Sequence, residues 1–142
     1  MKYFPVNKLC VEVQIGNCYN IKDINGRHYH IVVAESSEKE TGMVMLVYLT
    51  SANMNGRWCD QTTIFTPGDE HFIDKKCWIK YQTITIRNKQ ELLRPEIDFL
   101  GKINQTNLER IQKGITVSEH VSRQNRELFV EWHHGHLLKH GR

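Results

Sequence analysis

The chain has 142 residues, 39% hydrophobic and 25% charged, with nine glycines and three prolines. This is the profile of one globular domain, long enough to bury about two-thirds of its unfolded surface without a disulfide or metal staple. A net charge of +3 excludes a histone-like polycation, so any nucleic-acid binding must come from a local patch.

The charge is unevenly placed. Residues 1–100 hold twelve basic and twelve acidic side chains, whereas 101–142 hold seven and four. The four cysteines, Cys10, Cys18, Cys59 and Cys77, form no C-x-x-C pair and suit buried thiols in a reducing compartment. The N-terminus lacks the apolar core of a signal peptide, and the longest apolar run is Met43 to Leu49. The expectation is a cytoplasmic chain with no membrane association.

In chain order, the alternation Val11-Glu12-Val13-Gln14-Ile15 predicts a half-buried strand. Cys18 to Ile21 starts another, and Asn25-Gly26 supplies the positive φ angles of a hairpin turn. Tyr29 to Ala34, Met43 to Thr50, Thr62 to Thr66 and Trp78 to Ile86 follow, rich in β-branched and aromatic residues. Glu38 to Gly42, Asn53 to Gly56 and Pro67-Gly68-Asp69 interrupt them as turns. Five or six strands at this spacing predict a mainly β chain with flanking helices, an α+β fold built on a small, partly open β-barrel.

Behind the strands, two or three short helices are expected. Asn88 and Glu91 have capping-box spacing before Leu92-Leu93, with Pro95 as the stop. Thr106 and Glu109 repeat that spacing, Leu108 and Ile111 share a face, and Gly114 stands where the helix would end. Ser118 is placed as the cap of a third helix lined by Val121, Leu128 and Trp132. From Trp132 to Arg142 no period is visible, and four histidines in eight residues read as a mobile tail. The domain reading is a barrel with packed helices over 1–116, then a helix and a basic, histidine-rich tail over 117–142.

Absent motifs narrow the chemistry. There is no G-x-S-x-G elbow, P-loop, dinucleotide fingerprint or H-E-x-x-H. What remains is Arg27, His28 and His30, set at and just after the hairpin turn. Histidine moves protons near neutral pH, and a guanidinium grips a phosphate and stabilises charge developing on it. The two histidines share a strand face and are equally readable as solvated side chains, or as a metal pair lacking a third ligand. Thr50 and Ser51 end the most apolar strand, where hydroxyls bond a phosphate or the turn backbone. Lys75, Lys76 and Lys80, interleaved with Trp78 and Tyr81, suit single-stranded nucleic acid, although spacing sends the two rings to opposite faces.

This order of pieces resembles the PemK/MazF-like toxin endoribonucleases over about Val13 to Gly114. Gly16-Asn17-Cys18-Tyr19 is similar to the family's opening Gly-Asp strand, with Asn17 in place of the acid. Arg27 to Ala34 is similar to the strand that begins Arg-Pro, Leu49-Thr50-Ser51 to the strand ending Thr-Ser, and Cys77 to Tyr81 to a strand beginning Asp-Ser. Leu100-Gly101-Lys102-Ile103 and the helix after it resemble the closing segment.

The resemblance implies a small barrel, working as a homodimer, that cleaves single-stranded RNA through the RNA's own 2′-OH without metal or cofactor. The family's arginine falls on Arg27 and its threonine on Thr50. His28 or His30 as acid or base is inferred from chemistry alone. Ser51, Lys75, Lys76, Trp78 and Lys80 are the RNA-binding candidates. The family's glycine-rich Glu-Gln loop is missing, the proline after the arginine is His28, and Cys77 replaces a serine. These departures keep open a non-catalytic module of the same fold that binds a protein, such as an antitoxin or host factor.

Overall fold

In this computed structural model, residues 12–24, 26–36, 42–52 and 59–140 are described. Cys10, Val11, Asn25 and the turns expected over 38–41 and 53–56 lie outside them. The strands are β1 (Asn17–Asp23), β2 (Gly26–Glu35), β3 (Met43–Thr50), β4 (Ile64–Phe65), β5 (Cys77–Ile79), β6 (Thr85–Asn88) and β7 (Asp98–Lys102). Two α-helices follow, α1 (Gln105–Val117) and α2 (Arg123–His140).

All seven strands form one antiparallel sheet in the order β4-β5-β3-β2-β1-β7, with β6 beside β5 on the same edge of β3. The sheet curls into a half-barrel flanked by the two helices, an α+β architecture. β2 and β3 form its spine because Ile31 to Ala34 and Val44 to Val47 are almost wholly inaccessible on both faces. Such continuous apolar runs belong where a sheet is covered on both sides.

Several expectations change in the structure. Residues 12–16 are not a strand: Asn17 N–H bonds Gln14 O at 3.1 Å, closing a turn. Val13 and Ile15 are still buried, so the alternation read there reports burial and not pairing. The strand expected over Trp78 to Ile86 breaks into β5, a 3-10 turn over Tyr81–Thr83, and β6. The break lets the Tyr81 hydroxyl donate to Ile111 O of α1 at 2.9 Å and meet Thr63 Oγ1 at 2.7 Å. Buried and doubly bonded, that phenol is pushed above its usual pKa first by desolvation.

The cap at Asn88 is as read: Gln90 N–H bonds Asn88 Oδ1 at 2.8 Å and Asn88 N–H bonds Glu91 Oε1 at 3.2 Å, opening a 3-10 turn over Lys89–Leu93. Helix α1 instead starts from Asn104, whose Oδ1 accepts Asn107 N–H at 2.8 Å. It continues through Gly114 to Val117. Gly114 is there for space, since a Cβ would lie 2.5 Å from Tyr81 Cζ and 2.8 Å from Thr63 Oγ1. Ser118 is the C-cap of α1 and not the start of the next helix, and its hydroxyl donates to Asp60 Oδ2 at 2.7 Å.

The expected tail is also corrected. Helix α2 runs to His140 because Phe129 and Trp132 are buried in the common core. His133 stacks on Phe129 at 5.1 Å, and burial lowers its pKa. No helix among the described residues is long and apolar enough to cross a membrane.

Candidate functional site

A cleft of about 510 Å³ opens where β2 begins and β3 ends. The β1–β2 turn delivers its first member: Gly26, at φ +103°, takes the left-handed conformation that favours glycine, and Arg27 follows at once with its side chain exposed. His28 comes next, half-buried, its ring stacked on Tyr48 at 4.5 Å between centroids. Across the ladder, Tyr29 pairs with Leu49, which sets Thr50 beside His28.

The end of β3 is locked by short contacts. Thr50 Oγ1 accepts Ala52 N–H at 3.1 Å, and Trp78 Nε1 donates to Ala52 O at 2.8 Å. The Thr50 hydroxyl thus uses a lone pair locally, and among the described residues its proton is given to no acceptor. Its residue is largely buried, so any partner must enter the cleft.

The opposite wall comes from the loop before β5, which brings Phe72, Ile73, Asp74 and Lys75. That loop is pinned to the start of α1. Glu70 Oε2 accepts Asn104 N–H at 2.9 Å and Asn107 Nδ2–H at 2.8 Å, while Asp69 Oδ2 accepts Thr66 N–H at 2.8 Å. Tyr29 and Phe72 meet edge to face at 5.2 Å, giving the cleft an aromatic side.

Of the residues singled out from sequence, the cleft gathers Arg27, His28, Thr50, Ser51 and Lys75. The others lie elsewhere. His30 is 2% exposed, with Nδ1–H donating to His28 O at 2.9 Å, and burial drives its pKa down to about 4. It is a neutral core histidine at pH 7 and has no route to a bound molecule. Trp78 and Tyr81 are both buried, because the 3-10 turn interrupts the strand that would have exposed one ring. Lys76 and Lys80 do not line the cleft.

Asn20, Tyr29, Phe72 and Asp74 line the cleft and carried no motif. Phe72 to Asp74 sit in a loop whose sequence has no period. Asn20 was visible only as a polar residue within the strand read from Cys18 to Ile21. Cys77 also lines the cleft, but burial, reinforced by Asp69 and Asp74, pushes its thiol up to about 11. It is protonated at neutral pH and is no nucleophile.

Cys18, Cys59 and Cys77 are free thiols. Among the described residues, no three His, Cys, Asp or Glu side chains converge to hold a metal ion. No family model matches the chain, and no curated protein matches it.

Proposed function

We propose that the chain is a divergent toxin-like endoribonuclease of the PemK/MazF type, acting on single-stranded RNA through its 2′-OH, with a homodimer as the working unit. One observation carries the reading: the residues lining a single cleft include an exposed arginine and lysine, a half-buried histidine, and a threonine whose hydroxyl donates to no group among the described residues. Cation, proton carrier and hydroxyl donor are the groups that phosphoryl transfer to an internal hydroxyl needs.

The 2′ oxygen attacks the adjacent phosphorus as His28 takes the 2′ proton. The bond from phosphorus to the 5′ oxygen breaks, and that oxygen takes a proton from water, leaving a 2′,3′-cyclic phosphate and a 5′-hydroxyl. Arg27 neutralises charge on the five-coordinate phosphorus, Thr50 donates to a non-bridging oxygen, and Lys75 and Ser51 hold the neighbouring backbone. His28 Nδ1 is buried without a partner, so Nε2 is the nitrogen that exchanges the proton.

Purified protein and mixed-sequence RNA in chelator test this. Cleavage is expected, falling about a hundredfold or more in Arg27→Ala and at least tenfold in Thr50→Val. No cleavage by the parent chain, or cleavage undiminished in Arg27→Ala, overturns it.

A second reading makes the barrel a binding module for a protein such as an antitoxin or host factor. Its support is the outer edge of β7, which ends the sheet and carries Phe99 with 41% of its surface exposed. A purification that retains RNA and no stable protein partner counts against it.

A further inference from the structure

The apolar half of the cleft has no role in the chemistry above. Tyr29, Leu49, Phe72 and Ile73 are the apolar residues that line it, beside the cations Arg27 and Lys75. Asn20 also lines this space. It is placed by the β1–β2 register, which pairs it with Tyr29, so both side chains leave the same face of the sheet.

Among the described residues, five side chains hold a buried polar atom without a partner, and only Asn20 and His28 of them line this cleft. The Asn20 Oδ1 is buried with no hydrogen-bond partner. Buried amides in folded proteins are normally paired, and an unpaired one beside a cleft calls for an explanation. The tight polar knots elsewhere show that this fold can satisfy such groups, as at Tyr81 and Asp60.

We infer that this half of the cleft is a nucleobase pocket, in which an unstacked base packs against Tyr29 and Phe72 and Asn20 reads its edge. The inference rests on the proposed RNA substrate and names what the site selects. A volume of about 510 Å³ lies within the range that encloses a nucleotide-sized ligand. Aromatic rings supply stacking surface that any base can use, so affinity comes from them. Discrimination comes from the carboxamide, which offers one acceptor and two donors to the hydrogen-bonding edge of a base. Arg27 and Lys75 stand at the mouth, where the phosphate attached to that base emerges. The same side chain that selects the base therefore sets which phosphate meets Arg27 and Lys75.

Binding of the four nucleoside 3′-monophosphates and of inorganic phosphate, followed by NMR titration, separates this inference from the reading beneath it. The parent chain is expected to bind at least one monophosphate about tenfold more tightly than inorganic phosphate, with a spread among the four bases and a shift of the Asn20 side-chain amide resonances. Asn20→Ala should collapse that spread while leaving inorganic phosphate binding unchanged. Asn20→Asp, an acceptor only, should move the preference by about tenfold away from uracil and towards the amino-bearing bases adenine, guanine and cytosine. A purely structural role for Asn20 would weaken all four equally.

A base spread that survives Asn20→Ala overturns the pocket, as does a parent chain that binds no monophosphate better than phosphate itself. If monophosphates bind with a base preference that Asn20 controls and RNA is never cut, the pocket stands and the endoribonuclease reading falls.

Discussion

Two polar clusters in this protein are built in opposite ways. Around Tyr81 and Asp60 every group is answered: the phenol meets Thr63 and Ile111 O, and the Asp60 carboxylate accepts from Thr62 N–H, Thr62 Oγ1 and Ser118 Oγ. Burial opposes ionisation of Asp60, but those hydrogen bonds outweigh it and its pKa is lowered. At the cleft, Asn20 Oδ1 and His28 Nδ1 have nothing. A satisfied network holds elements together, while an unsatisfied one beside open space is a place to receive something.

The largest expected effect breaks the satisfied cluster. Gly114→Ala drives a methyl group into Tyr81 and Thr63, and should cost about 3 kcal/mol or more in denaturant unfolding. Adding Tyr81→Ala to that variant removes the closer of the two clashes and leaves only Thr63, so its extra cost should be smaller than the cost of Tyr81→Ala alone; simple additivity of the two would refute a steric cause.

An effect of similar size comes from pH. The folded-state pKa of His30, about 4, lies below the unfolded value of 6.5, so between those values the unfolded chain binds more protons. His30 therefore contributes stability above pH 6.5 that is lost as pH falls towards 4, in total roughly 3 kcal/mol. His30→Asn keeps a donor towards His28 O and should flatten the stability profile in that window. The Asp60 contribution is present above its unfolded pKa of 3.8 and is lost at lower pH still, as the pH falls through its lowered folded value.

Glu70→Ala is expected to cost about 1–2 kcal/mol, because Asn104 and Asn107 lose their shared acceptor. Its sharper signature is in the cleft, where a loosened Phe72–Lys75 loop should raise KM for RNA more than it lowers kcat. Arg27→Ala sits at the other extreme. An exposed side chain such as this one should change stability by no more than about 0.5 kcal/mol. A large loss of stability there would erase the contrast between the two regions.

The spine of the fold was legible because β2 and β3 are long, apolar and β-branched, and because Gly26 marks their approach. The capping box at Asn88 was equally plain. Local pattern failed where a distant contact decides the backbone. Trp78 to Ile86 reads as one strand, yet Tyr81 has to turn towards a helix thirty residues away. Gly114 reads as a helix end, and its real reason is the ring lying against it. The tail from Trp132 has no clean period, but burial of Phe129 and Trp132 against the core holds it as helix.

The candidate site divided along the same line. Arg27, His28 and Thr50 were readable because turn and strand ends are sequence features. His30 was misplaced on the assumption that a shared strand face means a shared environment, although His30 is buried and His28 reaches the cleft. Asn20 and Phe72 carry meaning only through register and loop anchoring, neither of which a linear reading supplies.

Strand β7 has a consequence for synthesis. It pairs with β1, whose residues Asn17–Asp23 leave the ribosome some seventy-five positions earlier. At translation rates of about 5–20 residues per second, the outer edge of β1 waits roughly 4 to 15 s for its partner. During that interval the nascent chain displays a bare strand carrying Cys18, Tyr19 and Ile21, all buried in the finished protein. Crowded polysomes would favour pairing between neighbouring nascent chains at that edge, so yield should depend on how fast Asp98–Lys102 arrives.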